Sequence, residues 1–336
     1  MVEKKCRNVG LDILKVIAAF FVVCIHAPFE NEFGKDLKAI SRCAVPIFFM
    51  ITGFFFSKQT DNSKINKQIL KLFKLCIVSN IFYIIFQIIL FYIDGKEQEI
   101  LFKSILNKES IKNLLIYNES PVYFHLWYLN ALLYVLIIMK FVHQYNMMKY
   151  MYFLTPFLLI IDLIYGKYSL LLLHREIPYI QIRNFLFVGI PYFCIGKFIN
   201  ENVYTKIKEK NNVKYIFFII IFIITTIFER RILISFNISA TREHYISSTF
   251  LAIVLFIYFL IYKRESKLKS FIARIGRDYS TLIYIIHPVI IEILDRLMCN
   301  NSIYNKLYPI IIFIITCLIC MLYKKINVKL KGITSI

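Results

Sequence analysis

Residues 10–29 read GLDILKVIAAFFVVCIHAPF. About twenty mostly apolar residues are what a helix needs to cross a bilayer, yet Asp12, Lys15 and His26 lie inside this stretch. A charged group at the centre of a membrane helix costs about 2.5–3.5 kcal/mol on insertion scales. Lys15 and His26 are eleven positions apart. At about 100° per residue that is three turns plus roughly 20°, so both face one side, roughly 16 Å apart along the axis. Ala18, Ala19 and Val22 pave the face between them, and Asp12 stands three residues before Lys15, within pairing reach. One reading is a neutralised pair near one interface and a surface histidine before Pro28. The alignment of two costly groups argues instead for a polar line running through most of the bilayer.

Composition sets the class. The chain has 336 residues, is 59% hydrophobic and holds 32 Phe and 23 Tyr, more apolar than an ordinary soluble domain. The apolar residues cluster into runs that predict an all-α, polytopic membrane protein with about ten transmembrane helices. The spans fall at 10–28, 43–57, 70–93, 126–142, 150–165, 183–200, 214–233, 246–262, 279–297 and 307–323. The second and fifth are short enough to be partly re-entrant. EKKCR followed by an apolar run imitates a signal peptide. Lys15 interrupts that run and no clear small-x-small site precedes Pro28, so it reads as an uncleaved first span. Cys317 and Cys320 form a C-x-x-C on an apolar helix without histidine partners, which reads as packing rather than metal or redox chemistry.

Charge orients the spans. With the N-terminus inside, the six inner segments carry net charges of +2, +4, +2, +3, +4 and +4. The outer segments together carry only about +2, the asymmetry that the positive-inside rule expects. Both termini are thus expected to be cytoplasmic. The same distribution answers the net charge of +20. It is spread over loops, where topology and anionic lipid account for it, so nucleic acid is not the partner. The longest outer loop, about 94–125, contains LFKSILNKESIKNLLIY at helical spacing and predicts a helix lying on the membrane surface. No repeat, linker or Gly-rich phosphate loop divides residues 1–336, which are expected to form a single domain.

Other spans carry polar groups too. YFHLWYLNALLY opens the fourth span with His125, Trp127, Tyr128 and Asn130; QIRNFLFVGIPYFCIG opens the sixth with Arg183 and Asn184. STLIYIIHPVIIEIL places His287 before a helix-bending Pro288. Lys67, Lys71 and Lys74 share one face at the inner end of the third span. The outer half therefore offers histidines, an arginine and an aromatic pair, and the inner mouth offers lysines. Aromatic belts, snorkelling and topology signals are the plainer readings of the individual groups.

These motifs together resemble the acyltransferase-3 family of integral membrane acyltransferases. LDILK and the spacing from Lys15 to His26 match the family's first span, where the histidine is catalytic. AVPIFFMITGFFF, HLWYL and YSTLIYIIHP match further family segments. SRCAVPIFFMITGFFF, RNFLFVGIPYFCIG and STLIYIIHP look most like the branch containing the membrane half of vancomycin-resistance membrane serine racemases. The residues end at Ile336 without a racemase domain, so racemase activity is not expected. The family's Arg-x-x-Arg beside the third span is here Lys71-Leu-Phe-Lys74, which keeps charge but lacks the bidentate fork.

The resemblance implies transfer of an acetyl or other short acyl group from cytoplasmic acyl-CoA to a hydroxyl of an envelope carbohydrate or similar polar acceptor, in a bacterial cell membrane. His26 would act as base or acyl carrier, with Asp12 tuning Lys15 and His287 orienting His26. Lys15, Lys67, Lys71 and Lys74 would hold donor phosphates. His125, Trp127, Tyr128, Arg183 and Asn184 would form acceptor walls. The donor is acetyl-CoA, and no metal is expected. A pantetheine arm would suit the face between Lys15 and His26. A transporter or exporter of a polar small molecule or polysaccharide precursor is the rival reading, since a polar line through many helices also describes a conduit. A sensor that binds a ligand without turning it over is a third.

Overall fold

A computed structural model describes residues 8–56, 61–207, 213–238, 244–262, 266–298 and 302–333, with side chains to residue 326. Among them there is no strand. The helices are α1 Val9–His26, α2 Asn31–Ser41, α3 Ala44–Phe56, α4 Asn62–Ile93, α5 Gln98–Leu106, α6 Lys108–Tyr117, α7 Trp127–Gln144, α8 Met148–Tyr165, α9 Ser169–Leu173, α10 Ile190–Phe198, α11 Tyr204–Ile207, α12 Val213–Ser235, α13 Ile246–Leu260, α14 Lys267–Met298 and α15 Ser302–Ile333. Two π-helical turns, Phe185–Gly189 and Ile199–Val203, flank α10.

Among the described residues the ten apolar intervals lie mostly on helix. Six helical stretches are long and apolar enough to cross a membrane: Val9–His26, Asn31–Phe56, Asn62–Ile93, Phe124–Gln144, Met148–Tyr165 and Ser302–Ile326. The rest fall short for visible reasons. The apolar run of α12 meets Glu229, Arg230 and Arg231, α14 carries Arg274, Arg277 and Asp278, and α13 has only 15 residues. The helix expected in the long loop is realised as two short ones, α5 burying Leu101 and Ile105 and α6 burying nothing.

The chain forms two compact units. The first comprises Met1–Phe48, Ile207–Arg231 and Tyr245–Ile336; the second comprises Phe49–Lys206 and Ile232–His244.

In the first unit α1 packs along α14, and small residues make that possible. A Cβ on Gly276 would fall on the backbone carbonyl oxygen of Asp12, and on the side of α1 that meets α13 one on Gly10 would fall on that of Phe259. Close backbone approach through small residues is how membrane helices gain packing where lipid competes for apolar surface. Ala19 packs with Ile283, Cys317 and Cys320, so the C-x-x-C is core filling. Val23 and Ala27 meet Ile290, Tyr304 and Ile312 on α14 and α15. α15 departs from helical geometry at Leu307, two residues before Pro309. Asn8 caps α1 by accepting from Leu11 N at 2.9 Å and donates to the Leu260 carbonyl at 2.7 Å, tying α1 to α13.

An ion network joins α2 to α12. Arg230 donates to Asp36 at 2.6 Å and to Glu32 at 2.8 Å, and Arg231 also binds Asp36. Arg230 and Asp36 are both buried.

In the second unit α3 and α10 approach as closely. A Cβ on Gly53 would strike the Phe193 carbonyl oxygen, and one on Gly196 that of Met50. α4 packs on α7, and α8 on α10.

Gly276→Leu should therefore be among the most damaging single changes in the first unit. Its side chain has to push α1 off α14, and overpacking costs typically about 1–3 kcal/mol or more. A clear fall in melting temperature in detergent is expected, against little change for Gly95→Asn, which sits at φ +66° in open space. Equal melting temperatures for Gly276→Leu and wild type would show that the contact does not constrain α1.

Candidate active site

In the first unit the line on α1 is built as the helical arithmetic predicts. Asp12 lies in the first turn, where the helix dipole favours a carboxylate. Lys15 Nζ donates to Asp12 Oδ1 at 2.9 Å, with the two side chains 21% and 8% exposed. Lys15 is thus a half-buried, partnered cation. Arg277 and Asp278 sit beside Gly276, whose backbone touches Asp12. Asp278 accepts from Arg277 at 2.7 and 2.9 Å and lies 3.6 Å from Lys324. Arg277 and Lys324 hold the Asp278 carboxyl below its usual range, and Asp278, with a smaller effect from Asp12, raises the Arg277 guanidinium. Sequence reading missed Arg277, because its neighbours come from three helices.

His26 occupies the last turn of α1, and its ring stands 5.4 Å from that of His287, centroid to centroid. His287 is fully buried, and its Nδ1 lies 3.1 Å from the Ile283 carbonyl. A carbonyl only accepts, so Nδ1 carries the proton and Nε2 of a neutral ring is left as the acceptor. Pro288 supplies no N–H to the carbonyl one turn back, at Tyr284, and leaves local freedom beside the imidazole. The small residues between Lys15 and His26 do not form an open groove. Ala18, Ala19 and Val22 are at most 3% exposed. The idea that a pantetheine arm lies on them is corrected by their use in close helix packing.

In the second unit Arg183, Trp127 and their neighbours come together. Arg183 Nη2 donates to both Glu119 oxygens, at 2.7 and 3.1 Å. Its guanidinium lies 4.5 Å from the Tyr179 ring and 5.3 Å from that of Trp127. Asn118 organises this cluster. It adopts φ 55°, the left-handed region that asparagine tolerates, and ends α6. Its side chain accepts from Phe185 N at 2.7 Å and donates to the Trp127 carbonyl at 3.3 Å, while its own carbonyl accepts from Asn130 at 3.3 Å. Asn184 accepts from Leu186 N and Phe187 N and donates to the Gln181 carbonyl at 2.7 Å, capping the π-helical turn. Its side chain is engaged within the fold. Tyr128 packs edge-on to Phe49 at 5.0 Å. His125 is 1% exposed and wedged between the rings of Tyr83 and Tyr123, at 4.8 and 5.2 Å. Asp162 reads in the sequence as an in-span charge, but its partner does not: Asp162 Oδ2 lies 2.9 Å from His244 Nδ1, and both are buried.

Lys67, Lys71 and Lys74 are all exposed on α4. Their face continues along the helix through Val78, Ile81 and Ile85, which are 62%, 51% and 54% exposed. In this unit the lysine stripe runs into an exposed apolar surface. Among the described residues no group of three metal-ligating side chains occurs.

Asn118→Ala should destabilise the second unit by about 2–4 kcal/mol, because it strands two buried backbone groups and places alanine in a left-handed conformation. The check is the melting temperature in detergent, with Asn118→Gly recovering the conformational part alone. A melting temperature within error of wild type would show that the cluster does not depend on Asn118.

The acyltransferase-3 family model, described as an acyltransferase domain, matches residues 8–325. An amino-acid racemase of Enterococcus faecalis is 25% identical over 362 aligned positions, covering 98% of this chain and 48% of the relative. The chain thus spans about half the length of that curated relative. No solved structure matches. With a match that runs from the cap of α1 into α15, the chain belongs to the acyltransferase-3 family.

Proposed function

We propose that the protein is a membrane acyltransferase that moves an acetyl or similarly short acyl group from acyl-CoA to a hydroxyl of a polar acceptor, an envelope carbohydrate being the first candidate. The observation that carries this reading is the His26–His287 pair, placed on two tightly packed helices at 5.4 Å. His26 takes the proton of the acceptor hydroxyl. The oxygen attacks the thioester carbon, the C–S bond breaks, and the proton passes to the departing thiolate of CoA. His287, its tautomer set by the Ile283 carbonyl, holds and orients the His26 ring. Lys15 presents a point charge to donor phosphates, with Asp12 keeping it in register. Lys67, Lys71 and Lys74 add positive charge at a membrane interface, and Arg183, Trp127, Tyr128, His125 and Asn184 form the surroundings of the polar acceptor.

We infer ten spans with both termini cytoplasmic in a bacterial cell membrane. The charge asymmetry of the loops supports this. A second reading has its own support in the buried polar groups of the second unit: export or uptake of a small polar molecule, for which the racemase relative makes an amino acid a natural cargo.

Labelled acetyl-CoA given to membranes carrying the protein separates the readings. Wild type should transfer label to envelope material, and His26→Ala should lower the rate by roughly 10²- to 10⁴-fold, the usual worth of a general base. Lys15→Ala should mainly weaken donor binding, on the order of tenfold, with less effect at saturating donor. Equal transfer by wild type and His26→Ala would refute the enzyme reading. Vesicle uptake that survives His26→Ala would favour transport.

A further inference from the structure

Native proteins leave few buried polar atoms without a partner, and those that remain mark a ligand, a water or a catalytic role. Three such atoms belong to the second unit. Ser169 Oγ, Arg183 Nε and His244 Nε2 are buried and make no hydrogen bond to any described residue. The residues that carry them are 0%, 8% and 3% exposed. Backbone contacts link the segments that carry them. Asp162, which binds His244, stands one turn before Gly166, whose N–H donates to the Asp162 carbonyl at 2.8 Å. Ser169 N donates in turn to the Gly166 carbonyl at 3.2 Å. A methyl group placed on Gly166 would lie 3.7 Å from Ile182, the residue before Arg183.

The chemistry of each atom is defined. Asp162 accepts from His244 Nδ1–H, which in a neutral ring leaves Nε2 as a lone-pair acceptor. The Tyr192 ring flanks the imidazole at 5.6 Å. Arg183 spends Nη2 on Glu119, so its Nε–H is a donor awaiting an acceptor. Ser169 Oγ does either. A single small molecule satisfies all three if it carries an acceptor oxygen for Arg183 and, a few atoms away, a hydroxyl or ammonium for His244.

We propose that Asp162–His244, Ser169 and Arg183 form a binding site in the second unit for a small polar molecule with a hydroxyl or ammonium group beside a carboxylate or carbonyl oxygen. Calling that molecule the acyl acceptor rests on the acyltransferase reading; the site itself does not. An amino acid and an N-acylated sugar both present this pattern, and the test separates them.

Purified protein in nanodiscs is titrated with radiolabelled L-serine and, separately, with N-acetylglucosamine. One of the two should bind saturably to wild type. His244→Phe and Arg183→Gln should each weaken that binding roughly 10- to 100-fold, as loss of a hydrogen bond to a buried group does. Ser169→Ala is the decisive variant, because its hydroxyl bonds none of the described residues. It should weaken binding on the order of tenfold with an unchanged melting temperature, and it keeps the proposal testable if the other two variants fail to fold. Failure of wild type to bind either probe would overturn the site, leaving ordered water as the occupant of these atoms. Wild-type affinity in Ser169→Ala together with His244→Phe would overturn it as well. Binding that depends on Ser169 and His244, in a protein that transfers no acetyl label, would retain the site and reject the acyltransferase reading.

Discussion

Hydrocarbon forms no hydrogen bonds, so a polar group on a membrane helix must find its partner inside the protein or carry a large penalty. Much of this structure follows from that constraint. In the first unit Lys15 meets Asp12 on its own helix, and Arg230 meets Asp36 across two helices. In the second, Arg183 meets Glu119 and His244 meets Asp162. The apolar residues supply bulk burial but are nearly interchangeable with lipid-facing ones. Of the polar pairings, Arg230–Asp36, Arg183–Glu119 and His244–Asp162 hold one segment against another, since sliding by a turn would break each of them, whereas Lys15–Asp12 lies within one helix.

How far these pairings can be read from the sequence depends on their range. Asp12, Lys15 and His26 were legible because a helix is a local object, and three positions or eleven translate directly into a face and a rise. His287 was legible as a costly group before a proline, but its closeness to His26 depends on α1 and α14 packing through Ala19 and Gly276, which periodicity does not reveal. Arg183–Glu119 and Asp162–His244 span 64 and 82 residues. Asp162 was visible as an in-span charge, yet nothing local pointed to His244. Asn118 had a weak signal only, an asparagine closing an apolar helical run, where a left-handed cap is common. Asn184 was assigned to an acceptor wall on its position, and the fold engages its side chain as a cap.

The ten apolar intervals were legible because hydropathy is a property of composition. The outcome at α12 and α14 shows its limit. Both are helices, and both carry several charges within reach of the membrane boundary. On α12, Glu229 caps α13 through Ile246 N and Ser247 N at 2.8 and 2.9 Å, while Arg230 and Arg231 anchor α2. The charges that lower the hydropathy of α12 are therefore the ones that position its neighbours. A window average counts them against a span and is blind to the partners that cancel their cost.

The lysine stripe on α4 makes the complementary point. Spacing of four and three correctly put Lys67, Lys71 and Lys74 on one face, but a face has no meaning until its surroundings are known. Here it continues into exposed Val78, Ile81 and Ile85. Lysine on such a face reaches the interface with its ammonium while its stem lies along apolar surface, and a point charge there serves anionic headgroups as readily as donor phosphates. Lys15 differs in kind. It is only 21% exposed and is held by a carboxylate one turn away. An incoming phosphate at Lys15 competes with Asp12, which makes binding there dependent on the geometry of α1. An arginine would have filled both roles at once with its fork; lysine, with one compact charge, has to be shared.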